Sequence, residues 1–554
     1  MNFKKHIIFT FSLCIVAVFF LNVSAQRESK KPKLVVGITV DQMRYDYLTR
    51  FSEKYSENGF KRLLSEGFSF ENNYLNYIPT NTGPGHASIH TGTTPSVHGI
   101  INNFWYDRAS DAANYCVYDA SCQPVGSGNK LDISSPYQLL ANTISDANRI
   151  QTNLKGKTIS IALKDRAAVL SGGKKANAAY WFRGQELGHW ISSSYYMEVL
   201  PAWVRAFNES PLVSSYMRTW EPLYPLETYT ESDADENTYE RGFRGKETAT
   251  FPYDLKELAS ENNNFELLKA TPFGNSLTFD FAAAALIGEK LGKGPATDFL
   301  LISLSSTDYI GHNFGVSSKE VEDAYLRLDK DLAEFLNRLD QHIGKGTYTL
   351  FLTSDHGASE NAHFLHEQDI KAEYFKEASF KIEVKDAVFE RYGSTEIIEN
   401  ISNDQIYLNK EWIAAANLDV ATVEQQIKEY VLSVPFIKTA VTRTEINSNH
   451  LTGELEQLLA NGMHPIRSGD IFYALEPRVV VYSEQGSDHG SGYDYDTHTP
   501  LLFYGFGIRQ GATKTKSFTI DIVPTIAEIL QIVPPETTTG SSLKEVIASP
   551  LNNR

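Results

Sequence analysis

Five short runs of almost unbroken apolar residues constrain this chain most. They are Leu34-Val-Val-Gly-Ile-Thr-Val40, Ile159-Ser-Ile-Ala-Leu163, Phe299-Leu-Leu-Ile-Ser-Leu304, Thr349-Leu-Phe-Leu-Thr353 and Leu501-Leu-Phe-Tyr504. A strand with one wet face alternates apolar and polar residues, whereas a strand covered on both faces does not. Amphipathic helices lie between the runs. The clearest places Val321, Tyr325, Leu328, Leu332, Phe335 and Leu339 at alternating spacings of four and three. Buried strands alternating with such helices predict an α/β fold, with a mostly parallel central sheet covered by helices on both faces.

Two less regular stretches interrupt the alternation, at about 176–270 and 371–480. The first is rich in aromatic and acidic residues. The second mixes a period-two segment, Phe380-Lys-Ile-Glu-Val384, with a helical pattern near Val423 to Val431. Both read as insertions that cap the sheet within one domain spanning 26–554. No internal repeat or Gly/Ser-rich linker suggests a further division.

The acidic residues and histidines fall where the strands end. Asp41 follows the first run. Asp308 follows the third, with His312 four residues on, and Asp355 and His356 follow the fourth. In an open α/β sheet, ligands bind beyond the carboxyl ends of the strands. One such Asp alone is better read as a helix N-cap; three of them with two histidines point to a metal centre. Carboxylate and imidazole without cysteine suit zinc and similar divalent ions. The segment His489-Gly-Ser-Gly-Tyr-Asp-Tyr-Asp-Thr-His498 offers two more candidates, and spacing does not choose between them.

In Tyr77-Ile-Pro-Thr80-Asn-Thr82-Gly-Pro-Gly-His86, a tight turn leads into a small-residue stretch with Pro84 suited to a first helical turn. A hydroxyl there would meet the anion-favouring end of a helix. Either Thr80 or Thr82 could serve, or simply cap the helix. His86, His90 and His98 read as packing or hydrogen-bonding residues.

These motifs, with Pro95-Ser-Val-His-Gly-Ile-Ile-Asn-Asn103, Leu163-Lys164-Asp-Arg166, Ser306-Thr-Asp308-Tyr-Ile-Gly-His312, Ser354-Asp355-His356-Gly and Tyr495-Asp-Thr-His498-Thr-Pro, resemble the alkaline phosphatase superfamily of two-metal phosphohydrolases. Within it, the chain especially resembles the phosphate-insensitive, PafA-type periplasmic alkaline phosphatases. The resemblance implies an alkaline-phosphatase-like sheet and two Zn2+ ions. One ion falls on Asp308, His312 and His498, and the other on Asp41, Asp355 and His356, completed by Thr82 Oγ. It selects Thr82 as nucleophile and assigns Asn103, Lys164 and Arg166 to the substrate phosphate. The implied activity is hydrolysis of phosphate monoesters through a phosphothreonine, with wide leaving-group tolerance. The alternatives are a phosphodiesterase or nucleotide pyrophosphatase on the same core, and a non-catalytic phosphate-binding protein.

With 51 basic and 68 acidic residues, the formal net charge is −17. This opposes a general affinity for nucleic acid or anionic membranes. Residues 1–25 read as a cleaved signal peptide: Lys4 and Lys5, an apolar run from Ile7 to Leu21, and a small-residue site ending near Ala25. A periplasmic or secreted, monomeric enzyme acting on small phosphate monoesters, with no membrane anchor, is expected. Cys116 and Cys122 would then meet an oxidising compartment, where a local disulfide and two free thiols are equally plausible.

Overall fold

The computed structural model describes residues 31–185, 188–481 and 484–548; the expected signal peptide lies outside them. Ten strands form the main sheet: β1 (Leu34–Val40), β2 (Phe68–Phe70), β3 (Pro124–Val125), β4 (Thr158–Ala162), β5 (Ala178–Arg183), β6 (His189–Ser193), β7 (Asp298–Leu304), β8 (Tyr348–Thr353), β9 (Leu501–Gly505) and β10 (Gly511–Thr513). Their order is β10-β2-β9-β8-β1-β7-β4-β5-β6-β3. The centre, β8-β1-β7-β4-β5, is parallel throughout. Strand β9 runs antiparallel to β8, and β6 antiparallel to β5.

Helices cover both faces, as the unbroken apolar runs require. The helices that bear on the site are α1 (Thr82–Thr91), α2 (Asp165–Gly172), α3 (Pro272–Gly288), α4 (Ser306–Phe314) and α5 (Lys319–His342). Val36, Ile38 and Val40 of β1 join a core with Phe281 of α3 and Leu332, Phe335 and Leu339 of α5. Val35 on the opposite side packs with Phe299, Phe351, Ile89 of α1 and Ile526. One strand thus feeds two cores, which is why it shows no period-two pattern.

Two expectations need correction. The first irregular stretch was expected to cap the sheet from about residue 176, yet β5 and β6 lie within the sheet itself. Its remainder also packs on the main core through Val204, Trp220 and Tyr253. The Phe380–Val384 segment is helical, inside Glu377–Tyr392, with Phe380, Val384 and Val388 buried at intervals of four. The second stretch builds its own four-stranded antiparallel sheet, ordered Ile398–Ser402, Gln405–Leu408, Ile471–Leu475, Ile437–Thr442. That sheet has a separate core of Phe380, Ile406, Val423, Ile427 and Tyr473.

Candidate metal centre and active site

Register brings the acidic residues together. Val40 pairs with Leu304, and Thr39 with both Ser303 and Thr353, so β1, β7 and β8 end on one rim. Asp41 and Asp355 leave that rim directly. Asp308 sits in the first turn of α4 and His312 one turn later, which puts both on one helix face. Asp41, Asp308 and Asp355 are buried almost completely.

Three imidazoles face these carboxylates in the same way. His312 Nδ1 lies 2.8 Å from the Ser487 carbonyl, His356 Nδ1 3.0 Å from that of Gly357, and His489 Nδ1 2.8 Å from that of Thr80. A carbonyl only accepts, so each Nδ1 carries a proton and each Nε2 is the atom turned toward the carboxylates. Those Nε2 atoms lie 3.3 Å (His312) and 3.5 Å (His489) from Asp308 Oδ1, and 3.5 Å (His356) from Asp41 Oδ1. Asp308, His312 and His489 form one group able to hold a cation, and Asp41, Asp308 and His356 a second. Asp355 borders the latter, its Oδ2 3.5 Å from His356 Nε2.

The donors suit a metal. Oδ1 of Asp41 and Nε2 of His356 are buried with no hydrogen-bond partner, while Asp41 Oδ2 and Asp355 Oδ2 meet only the cationic Lys164 Nζ (2.7 Å) and His86 Nδ1 (3.1 Å). Such groups are costly to bury unless something binds them. Burial, reinforced by Asp308 and Asp355, holds the Asp41 carboxyl well above its ordinary range. Burial also works against the charge of Asp308, but Lys164 and His312 outweigh it and hold that carboxyl low. Burial pushes His356 down to about 3, whereas for His489 the pull of Asp308 overrides burial and raises it to about 9.

His498, which the resemblance put on the first metal, is elsewhere. Its Nε2 meets the Glu71 carbonyl at 3.0 Å, and its ring stacks between Tyr45 and Tyr74. The third ligand of that group is His489, whose ring stacks on His356 at 3.5 Å. The sequence did carry a signal, since Asp488-His489-Gly490 repeats the Asp355-His356-Gly357 string. His489 sits on a loop rather than at a strand end, and the strand-end criterion passed it over.

Thr82 opens α1, buried, beside this cluster. Lys164 Nζ lies 3.4 Å from Thr82 Oγ1, 2.7 Å from Asp41 and 2.5 Å from Asp308. Thr80 turns away and donates to the Ser491 carbonyl. Gly83 N–H donates to Asn103 Oδ1 at 2.7 Å, so Asn103 stands at the start of α1 with its NH2 group as remaining donor. Arg166, in the first turn of α2, makes no ion pair among the described residues, and its Nε is buried without a partner. A lysine, an unpaired guanidinium, an amide and a helix N-terminus form an anion-binding set.

Residues not singled out from the sequence also enter. Gln42, at φ 64°, donates from Nε2 to Asp308 Oδ1 (3.1 Å) and from its backbone to Asp355 Oδ1 (3.3 Å). A Cβ at Gly311 would lie 1.8 Å from Gln42 Oε1, so any larger residue there would push the Gln42 amide out of place. His86 packs as expected, 2.8 Å from Ser303 Oγ, and also lies 3.1 Å from Asp355 Oδ2. Cys116 and Cys122 are free, buried thiols.

The Type I phosphodiesterase / nucleotide pyrophosphatase family matches residues 35–500. A Myroides odoratus protein described as a calcium-transporting ATPase is 44% identical over 99% of this chain and 100% of its own. Alkaline phosphatase PhoV of Synechococcus elongatus is 41% identical over 93% of each chain. Alkaline phosphatase PafA of Elizabethkingia meningoseptica is 39% identical over 93% of this chain and 95% of its own. The crystal structure of wild-type PafA covers 94% of this chain and 100% of its own, at 38% identity and a TM-score of 0.90. A second PafA structure, TM-score 0.89 with the same identity and coverage, carries serine for a threonine and alanine for an asparagine, a lysine and an arginine. With its sheet, its rim of acidic residues and relatives aligned over most of their length, the chain belongs to the type I phosphodiesterase / nucleotide pyrophosphatase family and, within the alkaline phosphatase superfamily, to the PafA-type members.

Proposed function

We propose that this protein is a metal-dependent alkaline phosphatase that hydrolyses phosphate monoesters through a phosphothreonine at Thr82. The observation that carries this reading is the position of Thr82 Oγ1 at the start of α1, 3.4 Å from Lys164 Nζ. Two Zn2+ ions, one held by Asp308, His312 and His489 and one by Asp41, Asp355 and His356 with Thr82, would stabilise negative charge on the attacking and departing oxygens.

The Thr82 oxygen attacks phosphorus and the bond to the leaving oxygen breaks as the Oγ–P bond forms; the proton lost by the Thr82 hydroxyl is balanced by the one the leaving oxygen takes up to depart as an alcohol. Water then attacks the phosphothreonine, the Oγ–P bond breaks, and phosphate leaves as Thr82 recovers a proton. Asn103, Lys164 and Arg166 bind the remaining phosphoryl oxygens, where an arginine can bond bidentately. A monoester brings two negative charges to this cationic set and a diester one, which favours the monoester over the phosphodiesterase alternative. The four residue types replaced in the PafA variant are those at Thr82, Asn103, Lys164 and Arg166, and this agreement supports their joint role.

Of the ATPase description attached to one relative, hydrolysis of a terminal phosphoryl group is the part that the Thr82 site supports. Among the described residues no helix is long and apolar enough to cross a membrane. The basic and apolar N-terminus supports export, with cleavage after about Ala25. Acid quenching during turnover of a radiolabelled aryl phosphate tests the mechanism. Label is expected on the Thr82 peptide, and Thr82→Ala is expected to lose both label and turnover. Near-wild-type turnover in Thr82→Ala would refute the assignment.

A further inference from the structure

We infer that His86 is a positioning residue that couples nucleophile to metal, given Thr82 as nucleophile and Asp355 as metal ligand in the reading proposed above. His86 lies one turn after Thr82 in α1 and is wholly buried. Its Nδ1 is 2.9 Å from the Thr82 carbonyl and 3.1 Å from Asp355 Oδ2, and its Nε2 is 2.8 Å from Ser303 Oγ of β7. A carbonyl and a carboxylate only accept, so Nδ1 carries a proton. A hydroxyl donates or accepts, so Ser303 satisfies Nε2 whether or not that atom is protonated. One imidazole therefore ties together the helix that opens with Thr82, the end of β7 and the residue that leaves β8.

Asp355 is left little freedom. Gln42 N–H donates to its Oδ1 at 3.3 Å, while its Oδ2 has His86 Nδ1 at 3.1 Å and His356 Nε2 at 3.5 Å. Gly85 permits this close approach. A Cβ there would sit 2.6 Å from both the Cβ and the carbonyl oxygen of Asp355, so the backbone of α1 packs directly on that residue. The run Thr82-Gly-Pro-Gly85-His86 thus carries the nucleophile, the close approach and the grip within one helical turn.

Both ring nitrogens face partners other than Thr82 Oγ1, so His86 is not the base that takes the hydroxyl proton. It sets where that hydroxyl stands relative to the metal that Asp355 helps to hold. A misplacement of about 1 Å at a reacting atom is enough to cost about a hundredfold in rate. The polar atoms that His86 meets belong to Thr82, Asp355 and Ser303, not to Asn103, Lys164 or Arg166, so its loss should spare binding of the phosphoryl group.

Two amide variants of the zinc-loaded enzyme separate this role from packing. An asparagine can place its NH2 group near the position of Nδ1, and a glutamine near that of Nε2. His86→Gln fills more of the space but loses the donor to Thr82 and Asp355, whereas His86→Asn keeps that donor and leaves a void. On an aryl phosphate, His86→Gln is expected to lose about ten- to a hundredfold in kcat with little change in KM. It should also bind zinc about tenfold more weakly in competition against a calibrated chelator. His86→Asn should exceed it in both kcat and zinc affinity, the reverse of the order that packing alone would give. If His86→Gln does not fold, Ser303→Ala carries the test. It removes only the hydroxyl on Nε2 and should lower kcat several-fold at unchanged KM. Thr82→Ala is measured alongside. If it is inactive while His86→Gln ranks above His86→Asn, or while His86→Gln (or Ser303→Ala in its place) keeps wild-type kcat and zinc affinity, the positioning role is overturned and Thr82 remains the nucleophile. Turnover retained in Thr82→Ala would overturn both.

Discussion

An imidazole has one lone pair to give, and the partner of the other nitrogen decides which way it points. Backbone carbonyls take Nδ1–H from His312, His356 and His489 alike, so all three aim Nε2 at carboxylates. His489→Ala should therefore lose bound metal and cut turnover by more than about a hundredfold, whereas His498→Ala, from its stack between Tyr45 and Tyr74, should keep the metal. Metal content measured on both purified variants checks this pair. Gln42 acts through Asp308 and Asp355 rather than on substrate. Gln42→Ala is expected to lower metal affinity by about ten- to a hundredfold. Gly311→Ala should resemble it, because the new methyl would occupy the space of Gln42 Oε1; competition against a calibrated chelator reads both. Asp41, Asp308, His312, Asp355 and His356 were legible because strand ends are legible. His489 and Gln42 were not: one arrives from a loop 133 positions after His356 in the numbering, and the other acts through a backbone conformation that leaves no mark in residue type.

Among the elements, the unbroken apolar strands and the helix with a long repeat could be read, whereas a five-residue pattern could not. The 24-residue helix α5 repeats its apolar positions over many turns, and its predicted stripe is the buried one. Leu332→Ala, in the middle of that stripe and 1% exposed, should cost about 2–5 kcal/mol, measurable by denaturant unfolding, with little change in turnover per folded molecule. Phe380-Lys-Ile-Glu-Val384 fails because five residues fit two periods equally well. Only Val388, one further turn along, shows that the buried face is helical. Strands β5 and β6 were hidden for a related reason. They sit at the start of a long irregular stretch, and what places them in the main sheet is the pairing of β5 with β4, with β6 added on β5, which had no local signature.

For the molecule as a whole, the sheet supplies a rigid rim and the surrounding parts supply the walls. The second inserted unit leans on the segment entering α1, where Ile78 packs with Val441, Leu459 and Phe472. It also reaches the hairpin after Asn103, through Arg108 to Glu399 (2.6 Å) and Asp470 (2.5 Å). A core of its own explains why this unit has an autonomous pattern in the sequence, while its placement beside Thr82 depends on contacts no local pattern encodes. Removal of the catalytic metals should abolish turnover and lower the unfolding midpoint, since the buried carboxylates would lose their compensating charge; a chelator series followed by zinc readdition checks both effects. The most direct test of the central claim is turnover of an aryl phosphate monoester and its methyl diester by wild type and Arg166→Ala. The account predicts a strong monoester preference in wild type, with the variant losing about a hundred- to a thousandfold on the monoester and far less on the diester. A wild-type preference for the diester, or an equal loss on both substrates, would contradict it.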